Sequence, residues 1–264
     1  MNLGNRFINY FNLCVVFFFI IITVSCTRFK SPSDLYPQPG IAIKNQTDWQ
    51  RDYYFSRIKD FEQNPIGHNK VVFLGNSIVK GGGNWNKKLS VDNIINRGIS
   101  GDYTEGILNR LNEIIFYKPA AVFLMIGINE FFKDNTNTPE INPTYVADNI
   151  FKIADTIKKG SPSTVVIIQT ILPINNQYYL KVKKVDYNFL QPGYNPSINT
   201  QIKEVNSILI KNKNHIVIDL HPLFLNKTGI LDPDFSSDGV HLNQKGYQVW
   251  TDRISPFIAT LNNK

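Results

Sequence analysis

A serine hydroxyl is a poor nucleophile until a base takes its proton, and histidine is the side chain whose pKa suits that task near neutrality. His241 lies in Asp234-Phe235-Ser236-Ser237-Asp238-Gly239-Val240-His241-Leu242-Asn243, three residues after Asp238. A carboxylate beside an imidazole fixes its tautomer and stabilises the cation formed when the ring takes a proton. The candidate nucleophile is Ser77, at the end of Val71-Val72-Phe73-Leu74-Gly75-Asn76-Ser77. A glycine at the end of a strand permits a sharp turn, which lifts the following serine out at the carboxyl edge of the sheet, where ligands of open α/β sheets bind. Taken alone, Gly-Asn-Ser is also the signature of a turn serine with no chemistry. Two more polar positions follow apolar runs in the same way: Gly101 in Asn96-Arg97-Gly98-Ile99-Ser100-Gly101-Asp102, and Asn129 in Gly127-Ile128-Asn129-Glu130. Backbone N–H groups and a side-chain amide can hold the oxyanion of a tetrahedral intermediate. These residue types together supply each part of an acyl-transfer site. His221, beside Asp219 in Asp219-Leu220-His221-Pro222, is a rival base; His68 reads as exposed and His215 as a strand-start residue.

Such parts converge only if the elements before them run side by side. Val71 to Leu74 is a continuous apolar run, the pattern of a strand buried on both faces. Similar runs at 91–95, 120–126, 164–172 and 215–220 alternate with helical periodicities. The helices are marked by Trp49, Tyr53, Ile58 and Phe61; by Ile107, Leu108, Leu111, Ile114 and Ile115; by a segment opened by Pro143; by Ile198, Ile202, Val205 and Leu209; and by Tyr247, Trp250 and Ile254 behind a capping Asn243. Strands alternating with helices argue for βαβ units and a parallel sheet. The expected domain is a three-layer α/β/α sandwich around a five-stranded parallel sheet, from about residue 45 to 262. Parallel strands share an orientation, so Ser77, Gly101 and Asn129 should lie along one edge. Gly81-Gly82-Gly83 reads as a flexible turn, and Trp85 and Tyr103 flank the expected pocket, each as either a core residue or a substrate contact. The stretch 173–196 is long for a connection and holds Tyr178, Tyr179, Tyr187, Phe189 and Tyr194. It is either a surface excursion packed by its own aromatics or a rim of the active site.

The chain has 264 residues, 42% of them hydrophobic, and a net charge of +7. Its basic residues are scattered rather than aligned in a stripe, so nucleic acid is not an expected partner. Residues 1–25 read as a secretory signal peptide: Arg6 precedes the apolar run Cys14–Val24. The following Ser25-Cys26 resembles a bacterial lipobox, with Thr23 departing from the usual leucine, so Cys26 is the expected lipidation site. An ordinary signal peptide or an uncleaved anchor is the alternative. Residues 26–47, with Ser31-Pro32-Ser33 and Pro37-Gln38-Pro39-Gly40, read as a tether, leaving 48–264 as the domain. The chain has 2 cysteines, Cys14 and Cys26, so none is left in the folded body for a disulfide or a thiolate metal site.

Gly75-Asn76-Ser77, the Gly101 stretch, Gly127-Ile128-Asn129 and Asp238-Gly239-Val240-His241 resemble, in order, the four sequence blocks of the SGNH (GDSL-like) hydrolase family. The resemblance spans about residues 70–250 and implies the flavodoxin-like SGNH hydrolase fold. By that resemblance Ser77 is the nucleophile and contributes its own N–H to the oxyanion hole. Gly101 adds a second N–H and Asn129 its side-chain amide. His241 is the general base and then acid, oriented by Asp238. Asn76 stands where the family name has Asp, which leaves the nucleophile untouched. Glu130 stands where Asp usually follows the block's Asn, a change of local packing that removes no catalytic group. The implied activity is a serine esterase acting on small acyl esters, foremost O-acetyl groups of carbohydrate, with no metal or organic cofactor. A lysophospholipase or short-chain lipase is the alternative if the aromatic stretch forms an apolar channel. A carbohydrate-binding lipoprotein with an idle site is the alternative of another class, and the intact Ser77, Asn129 and His241 argue against it. The expected partners are an acyl ester or acetylated glycan and, through the lipid anchor, the membrane of a bacterial cell envelope.

Overall fold

The structure, a computed structural model, describes residues 32–134, 138 and 140–262; the expected signal peptide and the expected lipidation site Cys26 lie outside the described residues. In β1 (Val71–Gly75) every residue is buried, as a strand covered on both faces requires. Val71 and Phe73 enter one hydrophobic cluster, Val72 and Leu74 another, because successive Cβ atoms point to opposite faces. β3 (Ala121–Met125) is buried throughout in the same way. β2 (Ile94–Gly98), β4 (Val165–Gln169) and β5 (Ile216–Ile218) complete an all-parallel sheet of order β2-β1-β3-β4-β5. The five-stranded parallel sheet is therefore present. The chain steps from β1 to β2 on one side and then crosses to β3 on the other. The loops after β1 and β3 consequently open a crevice at the switch point, where ligands of such folds bind.

Two helical layers cover the sheet. One is built from α4 (Thr104–Leu108), α5 (Leu111–Tyr117), α6 (Pro143–Gly160) and α8 (Ile198–Lys211), whose apolar residues pack with Val72, Leu74, Val122 and Leu124. The other face receives α3 (Trp85–Leu89) and α9 (Gln244–Asn262), with Trp85, Trp250 and Ile254 against Phe73 and Phe123. Local chemistry fixes the helix starts. Asn142 Oδ1 accepts from Tyr145 N at 3.0 Å with Pro143 at the first position, Ser197 Oγ accepts from Thr200 N at 3.1 Å, and Asn243 Oδ1 accepts from Gly246 N at 3.0 Å. No described helix is long and apolar enough to cross a membrane.

The structure departs from sequence expectation in several places, each for a tertiary reason. The second strand starts at Ile94 rather than Val91 and runs through the polar Asn96 and Arg97. Partners elsewhere satisfy both: Asn96 Nδ2 donates to Val79 O at 3.2 Å, and Arg97 is paired with the buried Glu113 at 2.7 Å. The helix expected across Ile107–Ile115 is broken between α4 and α5, where Arg110 leaves helical geometry. The glycines at 81–83 are not a free turn. Gly81 ends α2 (Ser77–Gly81), and the Trp85 ring lies 2.2 Å from where a Cβ on Gly82 would sit. Trp85 itself is core, stacked edge-on to Trp250 at 4.9 Å.

The described part of the expected tether is packed onto the domain. Leu35, Tyr36 and Ile43 are buried in a third cluster with Tyr54, Ile58 and Phe61 of α1 (Asp48–Gln63). The Tyr36 hydroxyl donates to Glu113 Oε1 at 2.8 Å. α1 buries Gln50, Tyr54, Ile58 and Phe61, spaced for one helical face, so Tyr54 replaces the expected Tyr53. Trp49 stays 58% exposed.

Candidate active site

Ser77 is placed by close packing at the end of β1. A Cβ on Gly75 would lie 2.2 Å from Met125 O, so only glycine lets β1 and β3 stay paired up to the turn. Asn76 then caps α2, its Oδ1 accepting from Ile78 N at 2.9 Å. A neutral amide oxygen serves there as a carboxylate would, which explains why the Asn in place of Asp is compatible with the turn. Tyr247 of α9 donates to Ile78 O at 2.7 Å and ties the far helix to this turn.

His241 and Asp238 sit in the loop before α9. Ser236 Oγ accepts from Gly239 N at 2.7 Å and donates to His241 O at 2.8 Å, folding the loop on itself. Asp238 Oδ1 accepts from the backbone of Val240 at 3.0 Å and of His241 at 2.7 Å. Its Oδ2 lies 2.8 Å from His241 Nδ1, and His241 Nε2 lies 3.0 Å from Ser77 Oγ. With a carboxylate accepting at Nδ1, that nitrogen carries the hydrogen and Nε2 keeps a lone pair toward the serine. Burial by itself would raise the Asp238 carboxyl, but hydrogen bonds from His241 and Lys183 outweigh it and hold the group well below the usual carboxylate range. The Lys183 contact, Nζ to Oδ2 at 2.9 Å, comes from α7 (Asn176–Lys183) in the long 173–196 stretch. Nothing in the sequence spacing marks Lys183, because the contact joins the end of α7 to the distant loop before α9.

Gly101 and Asn129 face the same cleft as Ser77 and His241. Gly101 adopts φ +76°, a left-handed conformation suited to glycine. Asn129 Nδ2 donates to Asp102 O at 2.8 Å, which uses one of its two amide hydrogens. Asp102 is fully enclosed and pairs with Arg110 at 2.8 Å, while Arg110 also donates to Gly75 O at 3.2 Å and Arg97 O at 2.9 Å. One guanidinium therefore joins the ends of β1 and β2 to the Gly101 loop, and the helix break at Arg110 follows from that reach. Burial raises the Asp102 carboxyl to about 6 even against Arg110. Glu130 is buried too, accepts from Thr104 N at 2.6 Å, and is pushed by burial up to about 7.

The rival histidines are elsewhere. His221 Nδ1 lies 2.9 Å from Ile171 O, and burial lowers its pKa; it is not among the residues lining the cleft of Ser77. His68 is exposed, and His215 is stacked on Phe151 and paired with Asp155 at 2.9 Å. Tyr103, unlike Trp85, does line the cleft. Its volume is about 500 Å³, and Tyr179, Tyr187 and Phe189 of the 173–196 stretch form one wall. That stretch is thus both packed by its own aromatics, Tyr187 on Phe189 at 5.2 Å, and a rim of the site. Trp49, which helical periodicity assigns to the buried face, lines the cleft instead, together with Gln50, for which the sequence carries no such signal. Among the described residues no group of three or more His, Cys, Asp or Glu is placed to hold a metal ion.

The model of the GDSL-like Lipase/Acylhydrolase family matches residues 73–249. Among solved structures, a GDSL-like lipase from Bacteroides thetaiotaomicron aligns at 22% identity with a TM-score of 0.61, over 78% of this chain and 97% of its own. An acetyl xylan esterase aligns at 19% identity with a TM-score of 0.55, over 72% of this chain and 99% of its own. A point mutant of an acetyl-xylooligosaccharide esterase from Geobacillus Stearmophilus aligns at 18% identity with a TM-score of 0.53, over 74% and 95%. At these identities the likeness is one of fold. No curated protein matches the chain.

Proposed function

The chain belongs to the GDSL-like lipase/acylhydrolase family, which implies ester hydrolysis, and from that premise we propose a serine esterase that removes small acyl groups, foremost O-acetyl groups of carbohydrate. The observation that carries the reading is the unbroken relay Asp238–His241–Ser77, with contacts of 2.8 and 3.0 Å. In this mechanism Ser77 Oγ attacks the ester carbonyl carbon as its proton passes to His241 Nε2. The developing oxyanion is held by the N–H groups of Ser77 and Gly101 and by the Asn129 amide. Collapse of the intermediate breaks the bond from carbon to the alcohol oxygen, and His241 returns its proton to that oxygen. Water, deprotonated by His241, then attacks the acyl-enzyme, which releases the acid and restores Ser77. Asp238 orients the ring and stabilises the imidazolium without taking the proton. Two of the solved structures of like fold act on acetylated xylan or its oligosaccharides by their descriptions, which supports acetylated carbohydrate as the substrate.

The wall of Phe132, Tyr179 and Phe189 favours a second reading, a lysophospholipase or short-chain lipase. Rates over a series of acyl lengths separate the two. An added methylene gains about 0.8 kcal/mol only where an apolar wall receives it. Activity that falls beyond about four carbons fits the acetylesterase; activity that climbs to eight or more overturns it. Ser77→Ala should abolish hydrolysis and labelling by a fluorophosphonate, and wild-type protein that shows neither would mark an idle site. The proposal extends to an exported lipoprotein anchored through Cys26, which mass spectrometry of the N-terminal peptide tests directly.

A further inference from the structure

α1 precedes the family-matched region, which begins at Phe73, yet it supplies Trp49 to the catalytic cleft. Trp49 is the most exposed of the large hydrophobic side chains among the described residues, at 58%. The indole is nonetheless held beside the chemistry: Cη2 lies 2.8 Å from where a Cβ on Gly101 would sit. The neighbouring Gln50 donates from Nε2 to Gly101 O at 3.2 Å, which ties the helix to the same loop. One edge of the ring therefore rests on Gly101, which lines the same cleft as Ser77, while much of its surface faces water. Trp49 shares the cleft lining with Tyr103, Phe132, Tyr187 and Phe189, and such a continuous aromatic surface with polar groups among it marks a place that a ligand covers.

The surroundings select the class of ligand. A long acyl chain needs enclosing apolar walls, and Trp49 with the 41% exposed Tyr187 would leave one side of it in water. A cationic headgroup meets like charge at Lys133, which lines the cleft with its Nζ 5.6 Å from the Tyr103 ring centroid. None of the described residues lining the cleft is acidic. A sugar ring has one apolar C–H face and a polar rim, so it can cover an indole while its hydroxyls remain hydrated. Resting on the esterase reading above, we propose that Trp49 is the platform on which the ester-bearing sugar ring stacks. α1 is then a specificity element that the family-matched region does not itself contain.

Binding and turnover test the platform separately. In a Ser77→Ala background, which holds substrate without cleaving it, calorimetry measures the affinity for an acetylated xylo-oligosaccharide. Adding Trp49→Ala should weaken binding by about tenfold or more, and Trp49→Phe should recover most of it. In the active chain, Trp49→Ala should lower the ratio of kcat/KM on that oligosaccharide to kcat/KM on vinyl acetate by a similar factor, through KM. Equal affinity with and without the indole would overturn the proposal. So would an equal loss on both esters, which would make Trp49 a prop for the Gly101 loop, or tighter binding of a lysophospholipid than of the sugar ester. Wild-type protein that needs Trp49 to bind the oligosaccharide but hydrolyses neither ester would remove the esterase reading and leave the platform standing.

Discussion

At the scale of the residue, the least anticipated contact is Lys183 on Asp238, because it puts an ammonium on the same carboxylate oxygen that faces His241. A carboxylate shared with a lysine stabilises an imidazolium less than one left to the histidine alone. Replacing Lys183 with Met should therefore move the acid limb of the pH profile of kcat/KM toward higher pH, since the protonated ring persists further. Lys183→Arg should keep the wild-type limb. A limb that stays put in the Met variant would reduce Lys183 to a surface ion pair, consistent with its 42% exposed side chain. Asn129 offers the second residue-scale test. Asn129→Ala should lower kcat on the order of 10²- to 10³-fold, the cost of one oxyanion donor. A loss of only a few-fold would mean that its bond to Asp102 O is its whole purpose.

At the scale of the element, the segment before α1 behaves as part of the domain. Glu113 Oε1 accepts from the Tyr36 hydroxyl at 2.8 Å, from Ile66 N at 3.0 Å and from Arg97 at 2.7 Å, all out of contact with bulk water. Removing one donor leaves a buried carboxylate short of a bond, which costs about 1.5–3 kcal/mol when the group is charged. Tyr36→Phe should lower unfolding stability by about that amount in urea titration. An unchanged midpoint would return residues 35–43 to the status of a free tether. The consequence reaches the site, because the same segment packs on α1, and α1 carries Trp49 and Gln50 to the cleft.

For the whole molecule, stability against pH follows from carboxyls enclosed near the site. Glu130 has a folded pKa raised to about 7 from 4.5, so its contribution is fully present below about 4.5 and is lost as pH rises through 7. Asp102, raised to about 6, acts in the same direction over a lower window. Asp238 is depressed, so its contribution is lost only as pH falls below the ordinary carboxylate range. Melting temperature should decline from pH 5 to pH 8, and Glu130→Gln should flatten that decline because the amide still accepts from Thr104 N without a charge to bury. A variant that declines as steeply as wild type would place the effect elsewhere.

What the sequence determined by itself was the part of the protein written in short-range pattern. Buried strands showed as continuous apolar runs and helix starts as capping residues, so the parallel sheet could be read before any coordinate. That sheet placed Ser77, Gly101 and Asn129 along one edge, and the roles expected of them and of Asp238 and His241 came from the resemblance of their sequence blocks to a known family. The tertiary structure alone decided what depends on contacts between distant segments. The second strand runs on through Arg97 because its guanidinium finds Glu113, and the helix after Gly101 breaks where Arg110 reaches Asp102 and Gly75 O. Trp49 could not be told from a core residue, since a helical face is apolar whether it meets the core or a cleft. Lys183 could not be found at all, because a salt bridge 55 residues apart in sequence leaves no local trace. Periodicity records which side of an element is apolar; only the packed chain decides what that side will meet.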